Sequence, residues 1–218
     1  MSDDGLASKT PICIIFASDS CDEIVGEFVA DLECYHNDTV FEGDFRTNRS
    51  KTERAVMKLF PPDDIFSYES EIEALKILKD ATRTPNLLAA GCTPGSTGKV
   101  PGGTVVIKTA CPGKRQPWDI FWNQFSDFNS THKVWTALKE TLQELRAYRI
   151  QLEQILPQSV LWDEDSQRVY IMDFDDWKWV KDAEGEIYRS MTYQLYGLTR
   201  NSQLLRDFNK NVAKATDA

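Results

Sequence analysis

The chain has 218 residues, of which 41% are hydrophobic and 27% charged, a composition typical of a globular protein with a sizeable core. Its formal net charge of −9 argues against a basic face for phosphates, so we expect no nucleic-acid partner. No apolar run is long enough to span a bilayer, and acids stand where a secretory signal has basic residues, so we expect a cytoplasmic protein with no membrane contact.

The first half of the sequence has the pattern of an antiparallel sheet with one inserted helix. Short runs of β-branched and aromatic residues, some alternating with polar ones, are typical of strands. The predicted strands are 12–16, 27–35, 39–45, 54–60, one beginning at 85, and 104–109. Ser67 can cap a helix over 69–78, and the stretch 91–103, rich in glycine and proline, predicts a loop. We therefore predict a first domain over residues 1–112.

After residue 112 the pattern becomes aromatic and helical. The predicted elements are a helix at 118–128, a long amphipathic helix from 131, a hairpin that pairs 160–162 with 169–172, and a last helix at 202–212. Five cysteines at spacings unlike a metal knuckle predict reduced thiols, and the two histidines stand in no metal or triad pattern. We predict a second, mainly helical domain over residues 113–218.

Three residues stand at informative positions in this order of elements. Lys58 ends the tetrapeptide AVMK in a predicted strand, Glu71 lies in the predicted helix, and Asp173 begins the tripeptide DFD directly after the hairpin. This order resembles the protein-kinase-like superfamily, most closely its compact fungal kinase-like and aminoglycoside-phosphotransferase-like branch, over roughly residues 27–180. The resemblance implies an α+β, two-lobed kinase-like fold: an antiparallel N-lobe sheet with one helix, and a reduced, mainly helical C-lobe.

The resemblance also implies a role for each of the three residues. Lys58 would hold the α- and β-phosphates of ATP, and Glu71 would pair with Lys58. Asp173 would bind magnesium, because Asp173-Phe174-Asp175 matches the D-F-G motif with its glycine replaced. ATP and magnesium are therefore the cofactors that the resemblance suggests.

The segment that resembles the catalytic loop of this superfamily lacks the functional residues of that loop. Residues 145–161 align with it without a gap, but Gln154 replaces the catalytic base Asp, and Ser159 replaces the Asn that binds a second magnesium. Glutamine carries no negative charge and cannot accept a proton near neutral pH. The glycine-rich loop is missing too, since the first strands offer only Gly26 and Gly43. We expect phosphotransfer to be lost or very weak, and nucleotide binding to be weak at most.

The same segment has a second interpretation. Leucines from Leu138 to Leu156 repeat with helical spacing, so the long helix could continue until Pro157 ends it. Residues 145–156 would then contain no catalytic-type loop. Lys58 and Glu71, for their part, could form an ordinary ion pair between a strand and a helix. The sequence leaves these alternatives open.

Three functions remain compatible with these residues. The first is a pseudokinase-like module that binds a small molecule or a protein partner. The second is a redeployed kinase-fold enzyme that cyclises or rearranges an apolar small molecule in an aromatic-lined cleft. The third is a weak small-molecule phosphotransferase with Asp175 or Glu153 as a substitute base. The candidate cleft-lining residues are Trp118, Trp122, Ser159, Trp162, Asp175 and Trp177.

Overall fold

The computed structural model describes residues 12–16, 23–35, 39–47, 51–94, 102–115, 128–153, 155 and 159–181. Their helices and strands are β1 (Ile12–Phe16), β2 (Ile24–Tyr35), β3 (Val40–Thr47), β4 (Thr52–Phe60), α1 (Ile65–Ile77), β5 (Leu87–Thr93), β6 (Gly103–Thr109), β7 (Lys114–Arg115), α2 (Phe128–Ala147), β8 (Ile150–Leu152), β9 (Val160–Asp163), β10 (Arg168–Ile171) and β11 (Trp177–Trp179). The described residues up to Pro112 form one compact unit together with Asp173–Asp176, and the other described residues from Gly113 onwards form a second unit.

The strands of the first unit close into a barrel. Its described strands hydrogen-bond in the antiparallel order β1-β2-β3-β4-β6-β5, and β1 meets β5 where Phe16 pairs with Cys92. Side chains alternate between the two faces of each strand, so every second residue lies inside the barrel. The buried interior comprises Ile15, Phe28, Ala30, Phe41, Phe45, Ala55, Met57, Leu59, Ala89, Val105 and Ile107. The predicted antiparallel sheet is confirmed, and its two outer strands, β1 and β5, pair with each other to close the barrel.

Gly26 and Gly43 lie inside strands and not in a loop that could cradle a phosphate. A Cβ atom at Gly43 would collide with the carbonyl oxygen of Val29 on β2, and one at Gly26 would lie 2.6 Å from the carbonyl oxygen of Arg46 on β3. Glycine in a strand often marks such a close approach of another backbone. These two glycines therefore allow β2 and β3 to pack closely.

Two predicted boundaries in this unit are wrong. The side chain of Asp64 accepts a hydrogen bond from the backbone N–H of Ser67 (3.4 Å), so Asp64 and not Ser67 caps α1. The predicted loop 91–103 is shorter, because strands β5 and β6 extend into it from both sides. Gly91 pairs with Val105 inside the sheet, where its backbone forms ladder hydrogen bonds despite the high glycine content of the segment.

In the second unit, α2 ends at Ala147 and the chain turns into β8. The N–H groups of Tyr148 and Arg149 donate to carbonyl groups three residues back (3.1 and 2.8 Å), and Arg149 adopts a left-handed conformation with φ 64°. β8 then pairs with β11, and the carbonyl oxygen of Arg149 accepts from the N–H of Val180 (3.0 Å). The alternative in which the helix continues to Pro157 is therefore wrong, although Pro157 itself lies outside the described residues.

The predicted hairpin is confirmed as β9 and β10, and β7 pairs with the other edge of β9. Helix α2 packs on β10, to which Thr141 connects it. The Thr141 side chain is fully buried, and its hydroxyl lies 2.8 Å from the carbonyl oxygen of Val169 on β10 and 3.0 Å from that of Ala137. This polar contact links the helix to the hairpin through a buried backbone group that needs a partner.

The remaining predictions concern two further helices, membrane-spanning helices and the cysteines. The helix predicted at 118–128 lies outside the described residues except for Phe128, which begins α2, and the helix predicted at 202–212 lies wholly outside them. Of the two described helices, neither is long and apolar enough to cross a membrane. Cys92 and Cys111 are free thiols, as predicted for them.

Thr141→Val is expected to lower the free energy of unfolding by about 1 kcal/mol, because valine keeps the shape of threonine but cannot donate to Val169. Thr136 is exposed on the same helix, so Thr136→Val should change stability by less than about 0.5 kcal/mol. Urea unfolding of the two variants measures the difference. Equal effects of the two substitutions would show that the buried hydroxyl does not stabilise the unit.

Candidate functional site

The position of Lys58 follows from the alternation of β4. Ala55, Met57 and Leu59 point into the barrel, so Lys58 lies on the opposite face, where its neighbours in register are Val40 on β3 and Val106 on β6. Only 13% of its side chain is exposed. A cation held at such a depth needs compensating carboxylates, because burial without them disfavours the charged form.

The first compensating carboxylate comes from α1. Glu71 is fully buried, and its Oε2 accepts a hydrogen bond from Lys58 Nζ at 2.9 Å. Its other oxygen, Oε1, accepts one from the Nζ of Lys108, a residue of β6 with 2% exposure. One buried carboxylate therefore bridges two ammonium groups from neighbouring strands.

The contact with Lys108 was not predicted. Its only sequence signal is a lysine in the otherwise apolar or hydroxyl-bearing strand Gly103–Thr109, which is just as typical of a side chain that reaches solvent. In the structure, Lys108 lies directly beside Val56 of β4, on the same face as Lys58. Helix α1 brings Glu71 over this face, and only that packing makes Lys108 a buried partner.

The remaining carboxylates follow the hairpin. Lys58 Nζ donates to Oδ1 of Asp173 and, at 2.8 Å, to Oδ2 of Asp175. Phe174, which separates the two acids, is fully buried. Both aspartates therefore flank an anchored aromatic ring and reach the same ammonium group. All five charged side chains belong to the first unit.

The charges of this cluster determine the protonation of Lys58. Burial would lower the pKa of Lys58, but Glu71, Asp173 and Asp175 outweigh burial and raise it well above its ordinary value. The lysine is thus a permanent cation near neutral pH. Near Lys108, burial raises the pKa of the Cys111 thiol to about 12, even though the lysine charge acts in the opposite direction, so Cys111 is a neutral thiol and not a nucleophile.

The other predicted site residues lie in the second unit or outside the described residues. Ser159 is buried, and its carbonyl oxygen accepts from the N–H of Met172 (2.8 Å) at the open end of the hairpin. Trp162 is buried within β9, and Trp177 packs edge-on against Trp179 with ring centroids 5.2 Å apart. Their part in lining a cleft stays a prediction. The remaining three, Trp118, Trp122 and Gln154, lie outside the described residues.

Similarity to known proteins is found by comparing the structure and not by comparing the sequence. No family model matches the sequence, and no curated protein matches it. Among solved structures, the kinase PK-1 of Cydia pomonella granulovirus is similar with a TM-score of 0.50 at 12% sequence identity, over 71% of this chain and 53% of that one. The PknI kinase domain of M. tuberculosis gives 0.49 at 14% identity, over 70% of this chain and 59% of that one.

The fold is kinase-like. The likeness to the granulovirus kinase, together with an antiparallel sheet and few helices, confirms the predicted α+β kinase-like fold. Identities this low show the fold alone, and the chain spans little more than half the length of either structure. What the chain binds must therefore be argued from its own residues.

The kinase-like fold implies a nucleotide with magnesium, and among the described residues the lysine donors that would hold its phosphates are already paired. A lysine ammonium has three donor hydrogens, and among the described residues three carboxylates accept from Lys58. A phosphate would have to displace one of them. A group of three or more His, Cys, Asp or Glu residues that could hold a metal ion by itself is absent from the described part of the chain, so magnesium would need phosphate oxygens and water beside Asp173.

Glu71→Gln is expected to lower the free energy of unfolding by about 3 to 5 kcal/mol, because it removes the negative charge that two buried ammonium groups share. Glu73 is exposed on the same helix, so Glu73→Gln should have an effect below about 0.5 kcal/mol. Urea unfolding at neutral pH compares the two variants. A loss below about 1 kcal/mol for Glu71→Gln would contradict the bridge.

The stability that Lys58 provides should persist to high pH. A folded-state pKa raised above the ordinary 10.5 gives a contribution that is complete below 10.5 and is lost as the pH rises through the folded-state pKa. The difference in unfolding free energy between the wild type and Lys58→Met should therefore be constant from about pH 7 to about pH 9 and shrink only above about pH 10.5. Exposed Lys76→Met is the matched control. A difference that already declines between pH 7 and pH 9 would rule out a raised pKa.

Proposed function

We propose that this kinase-fold chain is a pseudokinase-like binding module whose phosphotransfer activity is lost or very weak. The observation that carries the proposal is the pairing of Lys58 with three carboxylates among the described residues: Glu71, Asp173 and Asp175. In a kinase-type site the lysine and the metal-binding Asp hold the nucleotide's phosphates. Here Lys58 and Asp173 pair with each other, and Lys58 also pairs with Asp175, whose carboxylate stands at the position of the motif's glycine.

The sequence of the catalytic loop supports the same conclusion independently. Phosphoryl transfer needs an acid that accepts the proton of the attacking hydroxyl, and Gln154 cannot accept one near neutral pH wherever its side chain lies. The alternative bases are themselves ion-paired. Asp175 accepts from Lys58, and Glu153 is paired with Lys178 at 2.5 Å. A weak small-molecule phosphotransferase therefore has little support.

The face of the sheet beside Lys58 also disfavours a nucleotide base. Opposite Val56, β3 presents Glu42, and Arg54 of β4 contacts Asp31, Glu42 (3.6 Å) and Asp44 (3.7 Å). Flat apolar ligands favour walls that are mostly apolar, and a purine on this face would cover charged groups without replacing their hydrogen bonds. This network is therefore better suited to a polar partner surface or to water than to adenine.

A redeployed enzyme that acts on an apolar small molecule is the second candidate. It requires an aromatic-lined cleft, but Trp162 is buried within its hairpin and Trp177 packs on Trp179. We rank it below the binding module for this reason. As further parts of the proposal, the chain belongs to the compact fungal branch, works in the cytoplasm, and binds a small molecule or a protein partner.

Magnesium ATP at about 1 mM is expected to raise the melting temperature of the wild type by no more than about 2 °C, because a dissociation constant above 1 mM adds little stability. ATP consumption should equal that of Asp173→Asn. Lys58→Ala serves as the binding control, since it removes the group that would hold the phosphates. A micromolar dissociation constant that is lost in Lys58→Ala, or turnover that is lost in Asp173→Asn, would overturn the proposal.

A further inference from the structure

We propose that the carboxylate of Asp175 occupies the position on Lys58 that a phosphate oxygen would take, so that removal of its charge creates a binding site for polyphosphate. The proposal uses the same cluster as the proposed function but concerns which group closes the site. It makes a prediction about binding by a variant, not about turnover by the wild type.

The hydrogen bonds of Lys58 single out Asp175. Glu71 and Asp173 stand where the kinase-like order of elements places a lysine partner and a metal-binding acid, whereas Asp175 stands where that order has a glycine without a side chain. Its Oδ2 accepts from Lys58 at 2.8 Å and takes up one of the ammonium's three donors. Without this carboxylate, one donor would be free for an oxygen of another anion.

The charges of the cluster support the same assignment. Among the described residues, the ammonium groups of Lys58 and Lys108 face three carboxylates, so the cluster carries one net negative charge. An incoming phosphate is repelled by that excess. Neutralising Asp175 alone makes the cluster electrically balanced and leaves the bridge from Glu71 to both lysines unchanged. Like charges at contact distance are among the strongest local effects on anion binding.

The exposed fractions of the side chains explain why Asp175 blocks access to Lys58 in addition to occupying one of its hydrogen-bond donors. The exposed fraction is 38% for Asp175, 27% for Asp173 and 13% for Lys58. An anion arriving from solvent therefore meets carboxylates before it meets the ammonium. Asp175 is the most exposed member of the cluster, so it is also the one whose substitution disturbs the buried core least.

The test compares single-charge variants for binding of inorganic tripolyphosphate by isothermal titration calorimetry. Asp175→Asn keeps the side-chain shape, and Asp175→Gly restores the motif's glycine. Both should bind tripolyphosphate about 10- to 100-fold more tightly than the wild type, the range that one hydrogen bond to a charged group accounts for. The matched control is Asp176→Asn, which removes the same charge from an exposed neighbour outside the cluster and should leave the affinity unchanged.

A double variant identifies the group that receives the anion. Adding Lys58→Met to Asp175→Asn should abolish the gain, because no ammonium then remains at that place. The inference is overturned if neither Asp175 variant gains affinity, if Asp176→Asn gains as much, or if the gain survives without Lys58. ATP consumption by the wild type would instead contradict the proposed function, and it would not alter the comparison between variants.

Discussion

The structure of the first unit depends on the carboxylate of Glu71, which is shared by two buried ammonium groups. Lys58 on β4 and Lys108 on β6 approach it from adjacent strands, and α1 supplies it from above the sheet. Two cations and one anion leave an excess positive charge in a region from which water is excluded, a costly arrangement in a medium of low polarity. The carboxylate of Asp173 offsets that excess, and the carboxylate of Asp175 brings the cluster to one net negative charge, so the segment after the hairpin belongs to this unit for an electrostatic reason.

The sequence was sufficient to bring Lys58, Glu71 and Asp173 together as candidates, because each stands at an informative place in the predicted order of strands and helices. It was not sufficient for the partners that make this site unusual. A lysine at the end of an apolar run can be exposed to solvent as easily as buried. Only the packing of α1 over β6 buries the side chain of Lys108. Asp175 was predicted as a cleft acid, and its contact with Lys58 depends on the tertiary path of residues 173–176.

Local sequence patterns also predict only part of the fold. The strands could be predicted from alternation and from β-branched runs, but closure of the sheet depends on one long-range pair, Phe16 with Cys92, which no local pattern contains. The end of α2 was ambiguous because Leu145 and Leu152 suit a continuous helix as well as a helix followed by a catalytic-type loop. Arg149 resolves it through a left-handed backbone conformation, which a non-glycine residue adopts without any recognisable sequence signal.

Two changes in different parts of the chain act in the same direction. In the proposed function, Gln154 stands where a transfer reaction needs a proton acceptor, and Asp175 places a carboxylate on the lysine that would hold the phosphates. An anion carried by the chain is always present at a high effective concentration, so it competes with a free anion for the ammonium group. In the proposed function, the combination of the two changes removes both the reaction and its substrate contact, as expected if the scaffold is retained for binding through another surface.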